Sequence, residues 1–361
     1  MIGGVFSLNN IKKIRDAMLW LDFGAMLVIE PASRLYATGF SSSAGVLLVT
    51  AKGAWFFTDS RYIEAAGNAI SGAHIRQTTK DEHYTDLIKA VLDEHRITSV
   101  GFEEGFMAYA GYCEWTEKLE VTLVPAQKLI NDLRAIKSLD DLEMMKKAQR
   151  LAEKSFEEVL PLISAGITEK QVAAELTYRF LMNGADDKAF DPIVVSGTKS
   201  SMPHGVPGDV KIGPGFLTID FGVRLDGWCS DTTRTLCVGQ PDNEMIKIYE
   251  TVLLAQETGI KFVRAGVSGF DLDAAARAVI EDAGYGEYFG HGFGHSLGLE
   301  VHESLKASQI SEDILPEGAV ISAEPGIYLP GRYGVRIEDV IYITETGCEN
   351  ITNLTKSLII L

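Results

Sequence analysis

The 361-residue sequence lacks the features that mark membrane proteins and nucleic-acid-binding proteins. No apolar run approaches the roughly 20 residues that span a bilayer, so no membrane-spanning helix is predicted. Lysine and arginine number 33 against 50 aspartates and glutamates, a net charge of −17. Without a basic stripe, a protein of this charge is repelled by phosphate backbones. We therefore expect neither a membrane nor a nucleic acid as partner.

Cysteine and targeting signals are also scarce. The four cysteines, at positions 113, 229, 237 and 348, show no metal-binding or redox spacing, which favours reduced thiols. The first ten residues lack the charged segment and apolar core of a secretory signal. Both observations predict a cytoplasmic protein.

The length and the pattern of the chain predict two domains. Residues 1–132 alternate short apolar strands with helical patterns, which is typical of an α/β domain, and 361 residues exceed one ordinary core. This part contains no glycine-rich phosphate loop, and we expect Asp59 and Arg61 to form a loop salt bridge rather than a ligand site. A helix capped by Ser138, with acids in its first turn, opens the second domain, residues 133–361.

The second domain is predicted to be an internal duplication. The segment Ile163–Thr168 (Ile-Ser-Ala-Gly-Ile-Thr) is echoed one hundred residues later by Val263–Ser268 (Val-Arg-Ala-Gly-Val-Ser). Each copy ends in a helix-capping residue, and a helix, a histidine-bearing loop and a strand pair follow. Internal similarity of this kind predicts two related halves about a pseudo-two-fold axis, with helices covering one curved sheet. The identities are few, so chance convergence is the alternative.

The first strand pair carries two aspartates that the register brings close together. Asp226-Gly227 separates two β-rich runs, and a type I′ turn there would set the pairing. Gly222 would then face Asp231, and Asp220 would share that face as a diagonal neighbour. Two carboxylates so placed repel each other unless a cation lies between them. The alternative is a pair of surface aspartates flanking a hairpin.

The second strand pair offers counterparts. Glu324 lies in the first of its strands and Glu338 in the second, although Pro325 and a longer loop prevent a register argument. Arg336 shares a face with Glu338 and is placed to pair with the carboxylates. The same domain contains four histidines, His204, His291, His295 and His302, and the last three of them fall within twelve residues.

Carboxylates and imidazoles in this combination suit hard or borderline divalent ions. Four acids exceed the needs of one ion. Two ions bridged by carboxylates and by a water or hydroxide would balance the charge and supply a nucleophile near neutral pH. The pattern therefore predicts a hydrolase with two divalent ions per subunit; Mn²⁺ is the ion we favour, with Co²⁺, Zn²⁺ or Fe²⁺ as alternatives.

At these residues the sequence resembles the pita-bread metallopeptidases, the family of methionine aminopeptidase, aminopeptidase P and prolidase. The resemblance covers the whole chain, and its motifs occur in the family's order: Tyr36–Phe40, Asp59–Tyr62, Ile219–Gly222, Ser230–Arg234, Gly294–Gly298, Val301–Glu303, Glu324–Gly326 and Val335–Asp339. It implies an α+β fold in which a creatinase/prolidase-type α/β domain precedes a pita-bread catalytic domain.

The resemblance also implies roles for individual residues. The metal ligands would be Asp220, Asp231, His295, Glu324 and Glu338, with Asp231 and Glu338 bridging the two ions. Glu324 would also move the proton from water to the leaving nitrogen. His302 would stabilise the oxygen of the tetrahedral intermediate. His204 and His291 would line the substrate cleft, and Arg336 would hold the acidic cluster.

The extra N-terminal domain favours the proline-directed members of the family, which are similar to this chain in organisation. We expect metal-dependent cleavage of the Xaa-Pro bond at the N-terminus of dipeptides or short proline-containing peptides, by a homodimer. The alternatives are an aminopeptidase of other residue preference and a peptide-binding module without activity. Ser304-Leu305-Lys306 replaces a segment that commonly holds proline and, in prolidases, often an arginine at position 306. Ser296 stands where glycine is commoner.

Overall fold

The computed structural model of the chain describes residues 9–163 and 166–361. The chain divides into two units, Met1–Arg134 and Ala135–Leu361. The first eight residues, where we expect no secretory signal, and residues 164 and 165 of the first repeat motif lie outside the described residues. No helix in the described ranges has both the length and the apolarity needed to cross a bilayer.

The first unit is built on a six-stranded sheet in the order β4–β3–β2–β1–β5–β6. Its strands are β1 Ala25–Val28, β2 Val46–Thr50, β3 Ala54–Thr58, β4 His74–Gln77, β5 Ser99–Phe102 and β6 Thr122–Pro125. Its helices are α1 Ile11–Met18, α2 Pro31–Thr38, α3 Ile63–Ala69, α4 Tyr84–His95, α5 Tyr109–Leu119 and α6 Gln127–Ala135. Strand β2 runs antiparallel to both neighbours, and the other pairs are parallel.

Both faces of this sheet are buried, which explains the apolar strands seen in the sequence. Met26 and Val28 of β1 join one hydrophobic cluster, and Ala25 and Leu27 join another on the opposite face. Strands covered on both faces are apolar throughout rather than alternating. The α/β prediction for this part of the chain is confirmed, as is the loop salt bridge: Arg61 Nη2 lies 2.7 Å from Asp59 Oδ2.

The described residues of the second unit form four long helices and many short strands. Its helices are α7 Leu139–Val159, α8 Glu169–Met182, α9 Asn243–Phe262 and α10 Gly269–Asp282. Its strands are β7 Asp187–Lys188, β8 Ile193–Ser196, β9 Gly215–Phe221, β10 Val223–Leu225, β11 Trp228–Cys229, β12 Thr232–Val238, β13 Gly294–His295, β14 Lys306–Ala307, β15 Val320–Ala323, β16 Gly326–Leu329, β17 Tyr333–Arg336, β18 Asp339–Ile343 and β19 Cys348–Asn350.

The two halves of this unit repeat each other, as the sequence predicts. Helices α7 and α9 have 21 and 20 residues, and α8 and α10 have 14 each. Thr168 caps α8 and Ser268 caps α10, each by accepting the N–H three residues on. Each cap also bridges to a later segment, Thr168 to Lys211 and Ser268 to Ile314. Corresponding residues thus perform the same structural task in both halves.

Instead of one continuous curved sheet, the strands of the second unit form short ladders. Strand β9 pairs with both β8 and β12, while β10 and β11 continue the β9–β12 hairpin beyond a break. Strands β15 and β18 are likewise separated from β16 and β17. Helices α7 and α8 cover the first ladder, where Phe156 stacks on Phe221 at 4.9 Å between ring centroids. Asp231, Glu324 and Glu338 lie in these breaks, and Asp220 lies in β9, two residues before the break at Gly222.

Candidate metal centre

The first hairpin has the predicted turn and register. Asp226 and Gly227 have φ values of 50° and 86°, positive at both positions as a type I′ turn requires. Leu225 pairs with Trp228, and Asp220 pairs with Thr233. Both ladders keep one register, which makes Asp231 the diagonal neighbour of Asp220. A Cβ on Gly222 would overlap the carbonyl oxygen of Ser230, so this position needs glycine.

The register of the second hairpin could not be derived from the sequence, and the structure supplies it. Ala323 pairs with Asp339, and Gly326 pairs with Arg336. Because the two strands keep the same register on both sides of the break, Glu324 lies opposite Glu338. The two hairpins meet here, because the N–H of Glu338 donates to the carbonyl of Thr233 at 3.1 Å.

Three of the five candidate ligands converge on one point. Asp231, His295 and Glu338 each offer a ligand atom, and these atoms lie within 4.8 Å of one another. His295 Nε2 lies 3.8 Å from Asp231 Oδ2 and 3.2 Å from Glu324 Oε1. Glu324 therefore borders the same space. The histidine and the two hairpins come from segments far apart in the chain.

Asp220 occupies the edge of this group and is held by Arg336. Arg336 Nη2 donates to Asp220 Oδ2 at 2.7 Å, and both side chains are buried. The other oxygen, Oδ1, is buried without a hydrogen bond among the described residues. The nearby hydroxyl of Thr233 has a single proton, which is directed at Glu338 Oε2 at 2.7 Å. Asp220 thus presents a free, desolvated carboxylate oxygen.

The electrostatics of the cluster call for positive charge. Burial raises the pKa of Asp231 and of Glu338 well above their usual ranges, and the neighbouring carboxylates raise both further. Burial likewise raises the pKa of Asp220 despite the charge of Arg336. Although burial opposes the charge of Glu324, the hydrogen bond and charge of His295 keep its pKa low. Desolvated carboxylates at such short distances, one with a free oxygen, fit divalent ions.

A hydrogen-bond network links Asp220 to His291 through two further side chains. Arg336 Nη1 donates to the Tyr328 hydroxyl, and that hydroxyl lies 2.9 Å from His291 Nε2. His291 Nδ1 lies 2.8 Å from the carbonyl of Gly292, which can only accept. The proton of a neutral His291 therefore resides on Nδ1, and Tyr328 donates to Nε2. Both ring nitrogens of His291 are engaged, so in this arrangement neither is free for substrate.

The other two histidines lie at the open side of the cluster. His302 is exposed, and its ring centroid lies 4.2 Å from that of His295. Partial desolvation of the imidazole and the charge of His295 lower the pKa of His302, and the charges of His204 and Lys306 also lower it. His204 is exposed, on the segment that follows Gly197–Ser201. These histidines are placed to meet a ligand that approaches from solvent.

Ser296 and Lys306, two departures from the expected family pattern, lie next to His295 on the hairpin formed by β13 and β14. The Ser296 hydroxyl is buried and accepts the N–H of Leu305 at 2.9 Å, tying the two sides of the segment that carries His302. Lys306 pairs with His295 across β13 and β14. Its side chain is exposed beside the cluster.

A buried ion pair supports the same segment. Lys137 Nζ lies 2.7 Å from Glu303 Oε2, and the two side chains are 1% and 5% exposed. Glu303 follows His302 directly, and its Oε1 accepts the N–H of Leu299. The pair thus fixes the chain next to His302.

Sequence reasoning missed three hydroxyl-bearing residues that organise the site: Tyr328, Thr233 and Ser322. Ser322 Oγ donates to Glu324 Oε1 and accepts the N–H of His295, each at 3.0 Å. Thr233 accepts from Arg336 Nε at 3.0 Å while it donates to Glu338. Thr233 and Ser322 each lie two residues from a candidate ligand, which was the only signal for them, and the sequence around Tyr328 offered none.

Comparison with known families identifies the class of protein. Residues 143–345 match Metallopeptidase family M24, and residues 10–136 match the Creatinase/Prolidase N-terminal domain. The chain therefore belongs to metallopeptidase family M24, with a creatinase-type α/β domain ahead of a pita-bread catalytic domain. The expected resemblance and fold class are confirmed. Membership of this family implies a dinuclear metal site, for which Asp231, His295 and Glu338 form a candidate ligand group.

Individual relatives cover nearly the whole chain. The uncharacterized peptidase YqhT of Bacillus subtilis is 41% identical over 356 residues, which span 97% of this chain and 99% of that protein. The solved structure of a Xaa-Pro dipeptidase from Bacillus anthracis has a TM-score of 0.94 at 39% identity and covers 98% of this chain and 99% of its own. An X-Pro aminopeptidase from Thermotoga maritima has a TM-score of 0.90 at 34% identity, covering 96% and 100%.

Proposed function

We propose that this protein hydrolyses the Xaa-Pro bond at the N-terminus of dipeptides or short peptides, with two divalent metal ions per subunit. The observation that carries the proposal is the convergence of Asp231, His295 and Glu338 on one point, bordered by Glu324 and Asp220. The proline preference is supported by the relatives named as Xaa-Pro dipeptidase and X-Pro aminopeptidase.

The ions would be held by the five residues that surround the cluster: Asp220, Asp231, His295, Glu324 and Glu338. Asp231 and Glu338 would be the central ligands, because they are the carboxylates whose ligand atoms lie with His295 within 4.8 Å of one another among the described residues. Mn²⁺ is the proposed ion. When bound, the ions would polarise the scissile carbonyl and lower the pKa of a water molecule.

The chain's own residues would bind the peptide and move the proton. Glu324 Oε1 contacts both Ser322 and His295. We therefore assign the proton transfer to the other oxygen, Oε2, which would carry a proton from water to the proline nitrogen. His302, exposed beside His295, would donate to the carbonyl oxygen as negative charge develops on it. His204 would contact the substrate backbone from the facing segment. His291 would act through Tyr328 and Arg336 to orient Asp220.

Lys306 is our candidate for separating dipeptides from longer peptides. Its exposed ammonium lies on the strand that pairs with His295, where the free carboxylate of a dipeptide could reach it. An ammonium attracts a carboxylate as a point charge, without the two-point geometry of arginine. We therefore expect Lys306→Met to raise KM for Ala-Pro more than KM for Ala-Pro-Ala.

The central experiment measures hydrolysis of Ala-Pro and Ala-Pro-Ala by chelator-stripped protein with Mn²⁺, Co²⁺ or Zn²⁺ added back separately. We expect activity to require metal, and Asp231→Asn and Glu324→Gln to lose at least about 100-fold in kcat. Asp16→Asn, a change at an exposed aspartate of α1 in the first unit, is the matched control and should retain full activity.

Each other outcome points to a different conclusion. Cleavage of Met-Ala-Ser but of neither proline peptide would reject the proline preference and leave an aminopeptidase. Protein that binds no divalent ion in metal analysis, yet is folded, would reject the hydrolase proposal in favour of a peptide-binding module.

A further inference from the structure

The segment 289–295, which carries His291 and His295, cannot set its own conformation. It contains glycine at positions 290, 292 and 294, and glycine disfavours every regular structure. A Cβ on Gly292 would overlap Ala307, and one on Gly294 would overlap Ser322. The path of this segment must therefore be determined by the contacts that it makes with the rest of the second unit.

Arg277, a buried residue of α10, binds the two backbone carbonyl groups on either side of Gly290. Arg277 Nη1 donates to the carbonyl of Phe289 and Nη2 to the carbonyl of His291, both at 2.7 Å. The guanidinium carbon also lies 4.0 Å from the centroid of the Phe289 ring. Only a planar group with several donors can satisfy both carbonyls and a carboxylate together.

That carboxylate, Asp273, completes the contact from the same helix. Arg277 Nε and Nη2 donate to its two oxygens at 2.7 and 3.0 Å, and Oδ1 also accepts the N–H of Phe293 at 2.9 Å. Asp273 is fully buried and Arg277 is 6% exposed. Asp273 and Arg277 thus bind backbone groups of residues 289, 291 and 293, so the backbone is held at His291 and two residues to either side of it.

The opposite edge of the segment joins the acidic cluster. The carbonyl of Phe293 accepts the N–H of Glu324 at 2.8 Å, and the N–H of His295 donates to Ser322. His291 reaches Tyr328 only while its ring keeps the present direction. A displacement at the α10 side would therefore change both the His291–Tyr328 hydrogen bond and the direction of His295.

The related half of the unit has no such pair. Helix α8 carries Ala173 and Thr177 at the positions that correspond, one hundred residues earlier, to Asp273 and Arg277. The loop after α8 carries no histidine before His204. The packing of such a helix in this fold therefore does not require the pair, which is present only in the half whose loop bears candidate site residues.

We infer that Arg277 and Asp273 are positioning residues that orient His291 and His295 from outside the site. The inference rests on the proposed function, because it assigns to that site residues that touch neither ion nor substrate. A partly open cleft of about 180 Å³ reaches the pair and is lined by Phe270, Asp273, Ala274, Arg277, Glu281 and Gln309. A small guanidinium compound can use this route when the arginine side chain is removed.

The test compares Arg277→Ala, Arg277→Lys and Asp273→Asn with the control Arg179→Ala. Arg179 lies on α8 and also faces an acid four residues earlier, Glu175, at 3.9 Å. We expect kcat for Ala-Pro to fall about 10- to 100-fold in Arg277→Ala with a smaller change in KM, because misplacing a catalytic group has this effect. Methylguanidinium should restore part of the lost kcat in Arg277→Ala and none in Asp273→Asn. The control should match the wild type.

A second measurement is independent of metal and activity. In ¹⁵N-histidine-labelled, metal-free protein, imidazole spectra should show His291 with its proton on Nδ1, and a mixture of tautomers in Arg277→Ala and Arg277→Lys. Wild-type kcat and an unchanged His291 spectrum in folded Arg277→Ala would overturn the inference. If Arg277→Ala does not fold, the Arg277→Lys spectrum decides. Wild-type protein inactive with every metal would reject the proposed function while the spectra still test the positioning.

Discussion

The buried pair of Lys137 and Glu303 provides a quantitative test of how the segment next to His302 is held. In Lys137→Met, Glu303 stays buried and loses the ammonium that lies 2.7 Å from its Oε2, a change that costs about 3–5 kcal/mol in comparable pairs. Because 1 kcal/mol corresponds to roughly 2–4 °C in a domain of this size, the melting temperature should fall by about 6–20 °C. Activity towards Ala-Pro should fall as well, since Glu303 adjoins His302.

The assay is thermal unfolding of the metal-free protein, followed by circular dichroism, together with kcat/KM of the metal-loaded protein. The double variant Lys137→Met/Glu303→Gln should recover most of the stability, because neither charge then remains buried. Lys128→Met is the control, because its pair with Asp132 is largely exposed and should contribute less than about 1 kcal/mol. A Lys137→Met protein whose free energy of unfolding lies within about 1 kcal/mol of the wild-type value would refute the reasoning.

Two further predictions concern the first unit and the first hairpin. Burial raises the pKa of Glu103 above its ordinary 4.5, so its contribution to stability is complete below that pH and is lost as pH rises through the raised value. The amide oxygen of Glu103→Gln can still accept the N–H groups of Ile29 and Glu30. As the pH rises from 4.5 to 7, the free energy of unfolding of the variant, measured with urea, should therefore increase relative to that of the wild type. A difference between the two proteins that stays constant with pH would contradict this. In Gly222→Ala the new Cβ meets the Ser230 carbonyl, and we expect a loss of about 1–3 kcal/mol together with weaker metal binding by calorimetry. Unchanged stability and metal affinity would show that the hairpin adapts.

Local signals in the sequence sufficed for much of the architecture. Asp226-Gly227 determines the turn, and the turn determines the register, so the diagonal placement of Asp220 and Asp231 follows from residues close in sequence. Capping by Thr168 and Ser268 is equally local, which is why the duplication was visible. These features depend on backbone preferences that each residue expresses wherever it occurs.

Features that depend on distant contacts could not be derived in this way. Tyr328 reaches His291 and Arg336 only after two segments have packed, and nothing in its neighbourhood in the sequence indicates either partner. The register of the second hairpin was inaccessible because Pro325 and a long loop interrupt the pattern. The role of Asp273 and Arg277 was hidden because an acid and an arginine four residues apart are typical of any exposed helix.

The five candidate ligands are divided unequally between the related halves of the second unit. The first half contributes Asp220 and Asp231, and the second contributes His295, Glu324 and Glu338. Neither half alone contains the full set, so every ion shared by the proposed ligands would join one half to the other. The free energy of ion binding would then count toward the association of the halves, and the two processes would be thermodynamically linked. Two fragments separated between β12 and α9 should therefore assemble more tightly with divalent ions than without them.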